Sequence, residues 1–277
     1  MGQPALLQTD WRFLMDLGLQ NKAAIVTGGS EGIGKAAAWS MAAEGARVVI
    51  AARRQDVLDA AAAEIQAATG SPVLAVATDV TQPAQVQALI EATLAEFGQI
   101  DILVNNAGTS SAHPFEDATT EIWEADLQLK LFGALHAIRA TLPHMKAQRS
   151  GRIINITTPG GKAPNARSMP TSVSRAAGIA MTKALSKELA EYNILVNTVC
   201  IGLIKSGQHA RRWEKAHAED PSLSLEAFYE NLGRNVPLGR TGEAQEAGDL
   251  IAFLASARAS YITGTAVNVD GGTSAVV

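Results

Sequence analysis

Cysteine is almost missing from this 277-residue sequence: Cys200 stands alone, which excludes an internal disulfide and fits a reducing compartment. Clusters of Cys and His at metal-ligand spacing are missing as well, so no metal site is expected. A surplus of positive charge is also lacking. The 23 Lys and Arg are outnumbered by 27 Asp and Glu, for a formal charge of −4, which argues against nucleic acid or an anionic membrane as partner and leaves small molecules. The first twenty residues, MGQPALLQTDWRFLMDLGLQ, lack the long uncharged run of a signal peptide or membrane span, because Asp10, Arg12 and Asp16 interrupt them. A cytoplasmic location is the expectation. Residues 1–20 read as an N-terminal extension, in which Trp11, Phe13, Leu14 and Leu17 either pack as a short amphipathic arm or belong to a disordered tail.

What the sequence does have is alternation. Short β-branched runs (KAAIVTG, ARVVIAA, PVLAVAT, DILVNN, GRIINIT, ILVNTVC, AVNVD) take turns with longer helical patterns such as GKAAAWSMAAEG and QDVLDAAAAEIQAAT. Runs that are apolar throughout suit strands covered on both faces, so the expected fold is α/β, a doubly wound parallel sheet of about seven strands in one domain over 21–277. One stretch breaks this grammar. Residues 205–235 are polar, with scattered Trp213, Phe228 and Tyr229, and a long excursion beyond a strand's carboxyl end usually covers the ligand crevice, so this is read as a lid. Its Arg211, Arg212 and Lys215 are read first as a solvated helix face and second as contacts to an anionic substrate.

TGGSEGIG at 27–34 follows the first strand and opens the first helix. Glycines there let a backbone approach a pyrophosphate, which the helix amino terminus then stabilises. Later in the chain, Thr171 and Arg175 fall one helical turn apart on one face, which raises the question of what proton chemistry they could perform.

TGxxxGIG, TDVT at 78–81, NNAG at 105–108, LPHM at 142–145, PLGRTGEAQEAGDLIAFLAS at 237–256 and VDGG at 269–272, in this order, resemble the short-chain dehydrogenase/reductase family from about residue 16 to 273. That resemblance implies a Rossmann fold, a nicotinamide dinucleotide and a homo-oligomer, either dimer or tetramer. It implies Gly28, Ser30, Ile33 and Gly34 at the pyrophosphate, Asp79 and Val80 at the adenine, and Asn106 with Gly108 on the adenosine-ribose side. Gly202 and Ser206 would reach the nicotinamide, with Ile201 in place of the family's proline. Strand two ends in Ala52, Arg53 and Arg54 instead of the aspartate that would repel a 2′-phosphate. NADP(H) is therefore preferred and NAD(H) possible, although Glu31 places a carboxylate where NADP-preferring relatives often carry a base.

The family's catalytic asparagine, serine, tyrosine and lysine are all changed. By the same register they become Lys130, Thr158, Thr171 and Arg175. A threonine hydroxyl does not ionise in the range of a phenol, so Thr171 can donate a hydrogen bond but is a poor general base. Arg175 keeps a positive charge and could fork onto ribose hydroxyls, yet it holds its proton near neutral pH. Lys130 could act as acid or base if buried beside Arg175, or could reach solvent along its apolar stem. His113 falls near the substrate opening, His136 and His144 read as structural or solvated, and of the tyrosines only Tyr229 in the lid could fold in. Three functions compete: an oxidoreductase passing hydride between NADP(H) and a small carbonyl or alcohol, a non-redox enzyme of lyase or dehalogenase type, and a silent dinucleotide-binding protein. The intact nucleotide motifs favour the first and third.

Overall fold

The computed structural model describes residues 16–277. The arm residues Trp11, Phe13 and Leu14 lie outside the described residues. Seven strands form one parallel sheet: β1 (Ala23–Thr27), β2 (Arg47–Ala52), β3 (Val73–Ala77), β4 (Ile102–Asn105), β6 (Gly151–Thr157), β8 (Ile194–Ile201) and β9 (Ala266–Val269). Their order across the sheet is β3-β2-β1-β4-β6-β8-β9, every pairing parallel. β5 (Ala112–His113) and β7 (Met169–Pro170) make a separate antiparallel pair, so His113 sits opposite Met169.

Alternate residues of the apolar runs feed two cores, one on each face. Ala24 and Val26 of β1, with Val48 and Ile50 of β2, pack under α1 (Gly32–Ala43), α2 (Gln55–Thr69) and α9 (Ala244–Ala255). Ile25 and Val49 face the other way, onto α3 (Pro83–Phe97) and α5 (Gly133–Gln148). Each fully buried Ile or Val contributes roughly 1.5–3 kcal/mol, so both layers are clamped to the strands and the strand ends are held in place. The first core also takes in Leu17 and Leu19, and Arg258 donates through Nε to the Asp16 carbonyl at 2.6 Å.

The connections that matter lie at the carboxyl ends of the strands. The order reverses between β1 and β4, where the outward loops diverge and leave a crevice. After β4 the chain enters α4 (Thr120–Leu127), whose N-cap Thr119 accepts from the Ile122 N–H. One π-helical turn, Gln128–Phe132, joins α4 to α5. α6 (Thr171–Glu188) follows the β7 strand. Residues 205–235 form α7 (Gly207–Glu219) and α8 (Leu225–Gly233), standing beyond the end of β8. No helix among the described residues is long and apolar enough to cross a membrane.

Candidate active site

A cleft of about 950 Å³ runs along the carboxyl ends of the strands. Of the residues expected at a cofactor, Gly28, Ser30, Glu31, Ile33, Arg53, Arg54, Asp79, Val80, Asn106, Gly108, Arg175, Gly202 and Ser206 line it, as do Ile201, Thr158 and Thr171. Gly34 does not. A Cβ there would overlap the Gly28 carbonyl, so this glycine lets α1 start tight against the strand-end turn. Gly28 has φ +65°, and a Cβ on it would lie 2.9 Å from Asn106 Nδ2. Asn106 in turn donates from Nδ2 to the carbonyls of Thr27 (3.1 Å) and Gly28 (3.0 Å), bracing the turn. Glu31, the N-cap of α1, makes no side-chain cap bond, so the first amide groups of the helix face the cleft without a local side-chain acceptor. This glycine-built, amide-lined cradle fits a dinucleotide pyrophosphate.

At the other end of the cleft the side chains are wired together. Lys130 sits in the π turn, and its side chain is 1% exposed, so it does not reach solvent along its stem. Its Nζ is hydrogen-bonded to Asp126, one turn earlier, and donates to Thr171 Oγ1 at 2.9 Å. Burial pushes the Lys130 ammonium down to about 8; the Asp126 carboxylate acts against that fall and the Arg175 charge adds to it. Asp126 also accepts from Ser174 Oγ at 2.6 Å. The sequence reading did not include Asp126 or Ser174, although an acid four residues ahead of a lysine is a visible helical pairing signal.

Thr171 Oγ1 accepts a second bond, from the Ser111 N–H at 2.8 Å. A hydroxyl oxygen has two lone pairs, and both are taken. Its own hydrogen is therefore left to point elsewhere, and Thr171 lines the cleft. Arg175, one turn along α6, donates from Nη1 to the Ile156 carbonyl at 2.6 Å. Burial lowers its pKa from the ordinary value, with Asp126 opposing, and the group stays a cation. Gly108 makes room for it: a Cβ there would lie 3.0 Å from Arg175 Nη2. Lys130 and Arg175 also line a small adjoining cavity of about 20 Å³, which shares Val80, Ala107, Leu129, Ile156 and Thr157 with the cleft.

Arg211 and Arg212 are exposed, as read first, and also line the cleft, whereas Lys215 does not line it. Tyr229 stays out of the cleft, with Lys205 Nζ 5.5 Å from its ring centre; Tyr192 lies under Lys146 and Tyr261 is fully exposed. No phenol replaces the missing one. His136 is structural, its Nδ1 3.1 Å from the Val80 carbonyl.

Residues 28–274 match the family described as enoyl-(acyl carrier protein) reductase. The chain is 39% identical over 256 residues to a 3-oxoacyl-[acyl-carrier-protein] reductase of Synechocystis sp., covering 92% of this chain and 97% of that one. Among solved structures it is similar to L-sorbose reductase from Gluconobacter frateurii complexed with NADPH and L-sorbose, with TM-score 0.90, 33% identity, and 95% and 100% of the two chains covered. It is also similar to an NADPH-bound short chain oxidoreductase from Pseudomonas aeruginosa containing an atypical catalytic center, with TM-score 0.86, 35% identity, and 94% and 99% covered.

Proposed function

We propose that this chain, which belongs to the short-chain dehydrogenase/reductase family of oxidoreductases, reduces a small carbonyl compound with NADP(H) and moves the proton through Lys130 and Thr171 instead of a tyrosine. When bound, the nicotinamide supplies or accepts the hydride; the rest is done by the chain's own groups. The observation that carries the reading is the Thr171 hydroxyl, whose oxygen is saturated by Lys130 Nζ and the Ser111 N–H.

A carbonyl oxygen in the cleft accepts the free Thr171 O–H. As charge develops on that oxygen, it becomes an alkoxide about as basic as the threonine alkoxide, so the Thr171 proton passes to it at little cost. Lys130 then gives a proton to Thr171 Oγ1. An ammonium near 8 is a far stronger acid than an alcohol, so this second transfer drives the first. Lys130 is left neutral, and Arg175 keeps a fixed positive charge beside the developing anion. Asp126 and Ser174 hold the lysine in line. In oxidation the same protons run backward onto neutral Lys130.

Thr171 was expected to be a poor base on its own, and it remains one; the lysine behind it changes what it can do. NADP(H) is preferred to NAD(H) because Arg53 and Arg54 line the β2 end of the cleft. Glu31 is offset there by Arg54 Nη2 at 2.8 Å and Arg211 Nη1 at 3.4 Å. The NADPH complexes of the Gluconobacter and Pseudomonas proteins, and the atypical centre of the latter, support the same reading.

The test is nicotinamide absorbance, with NADPH offered alongside ketones, ketoses, aldehydes and quinones. Turnover on at least one is expected. Tight NADPH binding with no turnover on any would instead make this a silent binding protein.

A further inference from the structure

The cleft is lined by four guanidiniums, Arg53, Arg54, Arg211 and Arg212, against two carboxylates, Glu31 and Asp79, and Glu31 is the one that meets arginines from both β2 and α7. In a chain of formal charge −4 this is a local excess of positive charge. Glu31 is shared between two walls: Oε1 accepts from Arg54 at the end of β2, and Oε2 faces Arg211 on α7. All three side chains are exposed and the Arg211 contact is long, so the pairing is exchangeable. Among the described residues Arg53 and Arg212 make no ion pair. The start of α7 lies against the same carboxylate, since a Cβ on Gly207 would sit 2.9 Å from Glu31 Oε2. A little further along, Gln208 Oε1 accepts from the Ser110 N–H across the cleft.

We infer that Arg211 of α7 is a ligand of the cofactor's 2′-phosphate, and that Glu31 holds its place until that phosphate arrives. The inference rests on the dinucleotide reading of the cleft. A phosphate monoester brings close to two negative charges and three acceptor oxygens, against one charge and two oxygens for Glu31. Guanidiniums from both walls can fork onto it at once. Recognition of the 2′-phosphate and closure of α7 over the cleft then become one event, and a cofactor lacking that phosphate leaves the cleft-facing side of α7 with the exposed Glu31 contact and Gln208.

The experiment uses the full chain with two probes, adenosine 2′,5′-bisphosphate and adenosine 5′-monophosphate, read by calorimetry and by hydrogen exchange in 207–219. The wild-type chain should prefer the bisphosphate and protect α7 when it binds. Arg211→Ala should weaken the bisphosphate about tenfold, leave the monophosphate unchanged and abolish the protection. Glu31→Gln should tighten the bisphosphate several-fold by removing a competing anion. An Arg211→Ala chain that binds the bisphosphate as well as the wild type, with α7 equally protected, overturns the assignment and leaves the cofactor reading standing. Failure of both probes and of NADPH to bind the wild type overturns both.

Discussion

The two ends of one cleft are built from different material. The nucleotide end is made of backbone: the Gly28 turn at φ +65°, the start of α1, and Asn106 holding two carbonyls. The proton end is made of side chains: Asp126, Lys130, Thr171, Ser174 and Arg175, brought together from α4, the π turn and α6. Backbone cradles tolerate only glycine at their tight points, whereas a side-chain relay can be rebuilt if charge and hydrogen bonding still balance. Here the ammonium absent from position 175 approaches the same hydroxyl from position 130. Holding it costs stability at neutral pH, because its pKa is pushed down, and the cost fades as pH rises from about 8 toward 10.5. A buried group that opposes folding in this way supports the proposed relay, since catalytic sites are where such shifts gather.

The largest effect expected is at the backbone end. In Gly34→Val the new side chain must displace the Gly28 carbonyl, so the turn and α1 cannot both keep their places. A loss of about 3 kcal/mol or more is expected, together with loss of NADPH binding. Thermal unfolding and nicotinamide fluorescence read the two. Binding that survives would mean that the cradle is not set by this contact.

The proton end should break differently. Thr171→Val and Lys130→Met should each cut kcat by about 10²–10⁴ while leaving the dissociation constant for NADPH within a few-fold. The proposed relay puts the two in series, so the double variant should be little worse than either single one. Multiplying effects would show that lysine and threonine work independently, and a Thr171→Val enzyme at full rate would remove the relay.

Next in size is the pH profile. Under the proposed relay reduction needs protonated Lys130, so its rate should fall above about pH 8, and oxidation should rise through the same point. Asp126 raises the lysine pKa both as a hydrogen-bond acceptor and as a charge. Asp126→Asn should therefore move both breaks down by about one unit. A break that does not move would assign it to another group.

The same division decides what could be read from the sequence. The seven strands and the two apolar layers follow from the apolar runs, because these are local demands of backbone geometry, while the cleft lining is what the family resemblance implies. Lys130, Thr171 and Arg175 could be named because they occupy registers set by that backbone. Their wiring could not. The π turn at Gln128–Phe132 that seats Lys130 has no period to detect, and the Ser111 amide that saturates Thr171 is 60 residues away. Arg211 and Glu31, 180 residues apart, meet because the start of α7 lies against the start of α1. Long-range pairs of polar side chains leave no local pattern.

The smallest effect is a control that separates stability from either end of the cleft. Glu246 accepts two bonds from Arg240, at 2.7 and 2.8 Å, and closes a capping box with Glu243 at the start of α9. Those donors, Arg240 first, hold its carboxyl down at about 2. A depressed carboxyl lends stability that is fully present above the unfolded value of 4.5 and is lost as pH falls through about 2. The pair is 53% and 43% exposed, so solvent screens it and the contribution is small. Glu246→Gln should lower Tm by about 2 °C at pH 7 and flatten the acid limb of the stability curve. NADPH affinity, kcat and the break near pH 8 should all stay where they are. If kcat falls along with Tm, the losses in the Lys130 and Thr171 variants would have to be re-measured against matched stability before they could count for the relay.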